Sequence, residues 1–429
     1  MDLRRKLSRI SAARAKDAPP PDGEAVFEAL RAQLQRRRGR IARGTISEGA
    51  TLLHDGTPWP FPPTDSRHGM LYRAVARLEA DARHGSVPVQ RALAARSSSL
   101  STLALDATLA DVDPSRVLFV DTETTGLAGG TGTIPFLVGM AFFDEGHLVV
   151  EQLFVDEPGC EATLLAHFAE RVASASALVS FNGKSFDLPL LRSRCVLARV
   201  ALPALPPHLD LLHVARRIYG ARVERCTLGS LERDVLRFER VGDVPGEEIP
   251  ERYRRYLVRG DRAGILPVVQ HNVWDLVALA ALVGELAARV ERAPAEGRTD
   301  ARDHLGLART SLRAGDTRAA LAHAGDAVAA GAADVAREAH LLAAAAHVKT
   351  GNADERRTRL LAALAHTPAD PAVHLELARC YERELGDPHA ALVHAGHAGG
   401  AERPDALARR IARLTKRCKR GVQLRLPGF

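Results

Sequence analysis

Asp121 and Glu123 stand two residues apart where a short apolar run, Val117-Leu118-Phe119-Val120, gives way to turn residues. Residues i and i+2 of a strand share a face, so both carboxylates leave the strand end in the same direction. Carboxylates held side by side repel each other unless a cation lies between them. Hard oxygen donors of this kind suit Mg2+ or Mn2+. Two such ions a few ångströms apart can activate a water and stabilise the leaving oxygen of a phosphodiester. Alone, an acid-x-acid pair at a strand end is equally well an ordinary turn.

Two further segments carry the same kind of chemistry. In Phe181-Asn182-Gly183-Lys184-Ser185-Phe186-Asp187, a strand ends in an Asn-Gly turn and Asp187 opens a helix. An acid in that place is also a common cap. Lys184 either reaches a phosphate or faces solvent. In His271-Asn272-Val273-Trp274-Asp275, His and Asp are four apart on a long apolar helix, hence on one face. A buried Asp there needs a partner, and a metal is one. A surface His–Asp pair is the commoner origin of this spacing.

Together the three elements, in this chain order, resemble the DEDD superfamily of 3′–5′ exonucleases on the ribonuclease H-like fold. That resemblance implies that Asp121, Glu123, Asp187 and Asp275 ligate two Mg2+ or Mn2+ ions and that His271 is the general base. The segments DTETTGLAGGTGT (121–133), FNGKSFDLPLL (181–191), LDLLHVARRIYG (209–220), ERCTLGSLERDVL (224–236) and HNVWDLVAL (271–279) are similar to the YprB-type branch, whose members often append tetratricopeptide-like repeats. The likeness spans about 112–290. One spacing departs from the better-studied exonucleases: His271 precedes the last Asp by four residues, the Tyr spacing, where their His stands five before. Imidazole is a good base near neutrality, but here its ring enters at a different angle. Around the acids, Thr124, Thr125, Gly126, Leu127, Asn182 and Lys184 are the candidate substrate contacts. The glycine-rich loop 126–132 is no P-loop, since no GK[ST] follows.

These residues need elements to hold them. Residues 117–120, 136–143, 147–155 and 177–181 read as strands, with Asp144-Glu145-Gly146 as a hairpin turn. Helices are expected over 161–173, 188–196 and about 266–290. The fold class is therefore α/β, a ribonuclease H-like mixed sheet flanked by helices. From about 300 the chain turns to Ala-rich helix pairs. Gly315, Gly351 and Gly386 recur about 35 residues apart, and GDTRAALAHAGDA (315–327) is echoed by GDPHAALVHAGHA (386–398). This is the period of tetratricopeptide-like repeats. The expected organisation is a basic, partly irregular region over 1–111, the ribonuclease H-like domain over 112–292, helical repeats over 298–415 and a basic tail over 416–429. Residues 1–45 read as two basic helices about a Pro-rich break, and 70–110 as helical, then irregular.

The composition sets bounds. A chain of 429 residues exceeds what one core usually serves. Net charge is +7, with arginines clustered near both ends, which permits a polyanionic partner. Five scattered cysteines without a CxxC pair argue against a zinc site or disulfide framework. No run reaches the roughly 18–20 apolar residues of a membrane span, and the expected location is cytoplasmic. The expectation is a two-metal nuclease, a 3′–5′ exonuclease on DNA or RNA, with nucleic acid as partner. The alternatives are a non-catalytic nucleic-acid-binding scaffold that recruits a protein through its repeats, and a hydrolase of small phosphoesters.

Overall fold

Alternation along one strand organises the domain. In β5 (Val117–Thr124), Val117 and Phe119 enter one hydrophobic cluster, while Leu118 and Val120 enter another on the opposite face. The computed structural model describes residues 59–126, 132–295, 297, 299–331 and 333–423. The basic helices expected within 1–45 and the candidate contact Leu127 lie outside the described residues, as does the end of the tail.

Seven strands form one sheet in the order β1-β2-β7-β6-β5-β8-β9. β6 (Pro135–Asp144) and β7 (His147–Phe154) flank β5 on one side as an antiparallel hairpin. Their two-residue turn, Glu145-Gly146, takes positive φ at both positions (47° and 81°), as a tight hairpin demands. On the other side β8 (Ala177–Ser180) and β9 (His208–Asp210) run parallel to β5 and each other. The sheet is mixed, as the sequence predicts.

It also recruits β1 (Pro63–Ser66) and β2 (Gly69–Arg77), which precede the expected start at 112. Reading the start of 70–110 as helical is corrected here. Residues 72–77 pair with Phe154 to Val149 of β7, and this distant partner, not local propensity, decides their state. Arg73 of β2 and Arg171 pair with Glu151 of β7. β3 (Arg83–His84) and β4 (Val87–Pro88) make a separate two-stranded ribbon.

Helices cover both faces. On the way come α1 (Ser97–Ala104), α2 (Ala162–Ser174), α3 (Asp187–Leu197), α4 (Leu211–Ile218) and α5 (Ile249–Arg259). α2 and α5 put Leu165, Phe168 and Tyr253 against the Leu118/Val120 face. The closing helix α6 (Leu266–Val290) has Val268 in that cluster and Leu276 to Ala287 in the other. Residues 271–275 therefore fall between the two, beside the acidic end of β5.

The later elements among the described residues are helices: α7 (Ala301–Ala314), α8 (Thr317–Ala330), α9 (Ala333–Thr350), α10 (Ala353–His366), α11 (Pro371–Arg383), α12 (Pro388–Gly396) and α13 (Pro404–Gln423). Gly315, Gly351 and Gly386 have φ of 90°, 68° and 67° and sit at the three turns inside the helix pairs. Each is followed by a side chain that caps the next helix: Asp316, Asn352 and Asp387. Ending one helix left-handed and starting the next with a cap accounts for the recurrence seen in the sequence.

Candidate active site

Asp121 and Glu123 leave β5 on the face of Val117 and Phe119. Asp121 and Gly139 of β6, then Gly139 and Gln152 of β7, stand opposite each other across the sheet. Asn272 of α6 lies over this row. Its Nδ2 donates to Asp121 Oδ2 at 2.7 Å, and its Oδ1 accepts from Gln152 Nε2 at 2.8 Å. Gln152 also donates to the Val269 carbonyl at 3.0 Å. A Cβ on Gly139 would stand 2.1 Å from Asn272 Oδ1. Only glycine lets the helix settle this close to the strand.

Asp187 reaches the same place from the first turn of α3, where the Thr122 hydroxyl hydrogen-bonds it. The turn before it is braced from below. The Asp210 carboxylate accepts from the amides of Asn182 (2.8 Å), Lys184 (3.1 Å) and Leu212 (3.1 Å). Asp210 is thus the cap of α4 and the clamp of the 182–184 turn at once. Asn182 takes φ 67°. A Cβ at Gly183 would meet Ser180 Oγ at 2.4 Å, so that turn also needs its glycine. Burial holds the His208 pKa down at about 4, and its Nε2 takes the Ser180 hydroxyl at 2.8 Å.

Asp275 and His271 come from α6. His271 Nδ1 donates to Asp243 Oδ1 at 2.6 Å. That leaves Nε2 toward the acids, 3.5 Å from Asp275 Oδ2 and 4.0 Å from Glu123 Oε1. Arg240 is buried among carboxylates: it donates to Glu232 at 2.6 Å and Asp243 at 3.2 Å and pairs with Asp275. Glu232 in turn meets His84 of β3 at 2.7 Å.

Asp121, Glu123, Asp187, Asp275 and His271 all line one cleft of about 530 Å³. Burial first, then the neighbouring acids, push Asp121 and Glu123 well above the usual carboxylate range. Burial raises Asp187 to about 6 against its hydrogen bonds from Thr122. For His271, burial lowers the pKa, but the Asp243 hydrogen bond and the Asp275 charge outweigh it and the net shift is upward. Ligand atoms of Glu123, His271 and Asp275 lie within 4.8 Å of one another. Around Asp121, Glu123 and Asp187 the carboxylates outnumber the positive groups, Arg240 and His271, as a cation site requires.

The outer candidate contacts divide. Thr124 and Gly126 line the cleft. Asn182, Lys184 and Thr125 are not among its lining residues. Asn182 and Lys184 serve the braced turn through their amides, and the Thr125 hydroxyl accepts from the Ile134 amide at 3.0 Å. Unforeseen were Asn272, Gln152, Gly139, Arg240 and Asp243. A glycine inside the apolar strand FLVGMAFF was a legible sign of close backbone approach. Nothing local marks Arg240 or Asp243. These two also line a second hollow of about 690 Å³ with Arg225 and Arg233.

The fold and the comparison agree on the class: residues 118–287 match the RNase_H superfamily, and the chain carries a ribonuclease H-like domain. Within that class its sequence is similar to a YprB protein. The uncharacterized protein YprB of Bacillus subtilis (strain 168) is 36% identical over 178 residues, 41% of this chain and 43% of that protein. The chain thus spans less than half of that relative's length. A family B DNA polymerase from Pyrobaculum calidifontis shares 16% identity at a TM-score of 0.34, over 49% of this chain and 29% of that one. That likeness is too slight to carry an argument.

Proposed function

We propose that the chain is a metal-dependent nuclease, a 3′–5′ exonuclease that hydrolyses phosphodiester bonds of DNA or RNA. Membership of its central domain in the RNase_H superfamily supports the nuclease class. One observation carries the finer reading: four carboxylates face one cleft, and three of them have raised pKa values from burial beside one another. Asp121, Glu123, Asp187 and Asp275 would hold two Mg2+ or Mn2+ ions. Such ions lower the pKa of water and stabilise a leaving oxygen.

The chain's own groups supply position and proton transfer. Asn272 fixes the Asp121 carboxylate and Thr122 that of Asp187. Asp243 holds His271 so that Nε2 faces the acids and can take a proton from an attacking water. The cleft wall opposite is apolar, with Leu190, Leu197, Ile249 and the Phe186 ring. Phe186 is 56% exposed, a stacking surface for a base. A cleft of this size is in the roughly 300–1,000 Å³ range of single-molecule sites, which favours a strand terminus over a duplex.

The helix pairs have the spacing of tetratricopeptide-like repeats, and we read them so. Among the described residues no helix is long and apolar enough to cross a membrane, and we keep the cytoplasmic assignment as a proposal. The test uses 3′-labelled and 5′-labelled single and double strands with Mg2+ or Mn2+. Stepwise loss from the 3′ end that disappears in Asp121→Ala supports the reading. No turnover of any strand, or turnover that survives Asp121→Ala, overturns it.

A further inference from the structure

Far from the cleft, in the first helix pair, a second group of side chains has the opposite problem: nitrogen donors without partners. His323 of α8 is 2% exposed, and apart from an approach to the Val290 backbone its ring nitrogens lack a hydrogen-bond partner. His304 Nδ1 of α7, also buried, lacks one too. Native interiors rarely leave such atoms bare, because the hydration lost on burial is not replaced. Both Nδ1 atoms approach the same oxygen, Asp326 Oδ2, at 3.9 Å for His304 and 4.0 Å for His323. These distances are too long for hydrogen bonds. A tetrahedral ion with bonds of roughly 2.0–2.2 Å holds its ligand atoms about 3.4 Å apart, so a closure of about half an ångström would set both rings and the carboxylate on one ion.

We propose that His304, His323 and Asp326 form a binding site for a divalent transition metal of the zinc class. Two imidazoles and a carboxylate are borderline donors that prefer Zn2+, Co2+ or Ni2+ to Mg2+. The site therefore differs in kind from the all-oxygen acids of the cleft. Arg292 pairs with Asp326 through both carboxylate oxygens, the longer contact being 3.3 Å. A carboxylate offers about four lone-pair sites, so this pair orients Asp326 and leaves room for an ion. Asp326 is 37% exposed, which gives the ion a way in. An ion there joins α7 to α8 beside the end of α6, from which Arg292 follows. The role is structural: it fastens the start of the helix array.

The experiment is Co2+ titration of the full, EDTA-treated chain, read by visible absorption, with Zn2+ competition and thermal melts. Asp326→Asn is nearly isosteric and partly exposed, so it preserves folding where His323→Ala does not, and His304→Gln is the second variant. The expected result is one nitrogen-ligated Co2+ whose affinity falls more than about 10-fold in both variants and is unchanged in Asp121→Asn. Zn2+ raises the melting temperature of the wild type and not of Asp326→Asn. Unchanged Co2+ uptake in Asp326→Asn and His304→Gln overturns the proposal. So does uptake lost in Asp121→Asn, which would place the ion in the cleft. Failure of the nuclease reading leaves this result untouched, because no activity is read.

Discussion

The α/β domain and the helix array both bury charge, and they do it in opposite ways. In the cleft, burial and then the neighbouring acids raise the pKa values of Asp121, Glu123 and Asp187. In the array carboxylates meet arginines from the neighbouring helix pair: Glu382 with Arg410 at 2.6 Å and Arg413 at 2.7 Å, and Arg356 with Glu376 at 2.6 Å. Glu402, bonded by Arg410 and Arg379, falls to about 2. The same residue types thus serve two ends. Paired charge fixes how helices stack, whereas unpaired charge is a strain that persists only where a ligand relieves it. The direction of the pKa shift separates the two.

Four measurements bear on this contrast. The largest effect is expected at Asp121→Asn. It should cut nuclease turnover by on the order of 10³-fold without lowering the melting temperature of the metal-free protein, because it removes repulsion. A variant that loses activity by unfolding would show that the acids are structural. Glu382→Ala should do the reverse and cost about 3 kcal/mol in urea unfolding, with turnover per folded molecule unchanged. Arg410 keeps Glu402, which limits the loss. If Glu382→Ala is silent in unfolding, the array does not depend on its ion pairs.

Gly139→Ala tests the supports of the cleft. Its Cβ would displace Asn272 and so release Asp121; a shift near 1 Å at a reacting centre costs roughly 10²-fold. Substrate affinity should change far less than turnover, and wild-type turnover in this variant would remove Asn272 from the account. The smallest effect is in pH. The native pKa of Asp187 is raised to about 6 from roughly 3.9 in the unfolded chain. The folded protein therefore holds a proton the unfolded chain has released, and metal-free stability falls as pH climbs from about 4 to about 6. Glu402, lowered to about 2 from roughly 4.3, acts oppositely, and its contribution is lost as pH drops below about 4. Urea melts from pH 4 to 7 should show an upper limb to which Asp187 contributes no more than about 3 kcal/mol, with Asp121 and Glu123 acting in the same direction. Mg2+ should flatten it. A limb that ignores Mg2+ means the acids do not bind it.

Local pattern made the centre of the domain legible. The apolar run before Asp121, the hairpin about Glu145-Gly146 and the helix 266–290 are each declared by periodicity or turn residues, and the structure has them. So are the turns at Gly315, Gly351 and Gly386. What escaped depends on partners distant in the chain. β2 is a strand because β7 lies beside it. Asp243 matters because it meets His271 28 residues later. Asn272 carries a sign that was readable, an amide inside an apolar helix, but only its contact with Asp121 gives it meaning.

The join between domain and array limits where the chain can be severed. Asp303, fully buried in α7, holds Arg222 through both oxygens at 3.0 and 2.8 Å and stands 3.6 Å from Arg289 of α6. Gly306 lies so close to the Ile218 backbone that a Cβ would meet it at 2.5 Å. A cut near residue 298 would strip the counterion from Arg222 and bare an apolar scar on α4. A cut at the Gly315 turn keeps both intact. The first helix of the array by sequence thus behaves as the last helix of the α/β domain, and a fragment meant to fold alone should carry it.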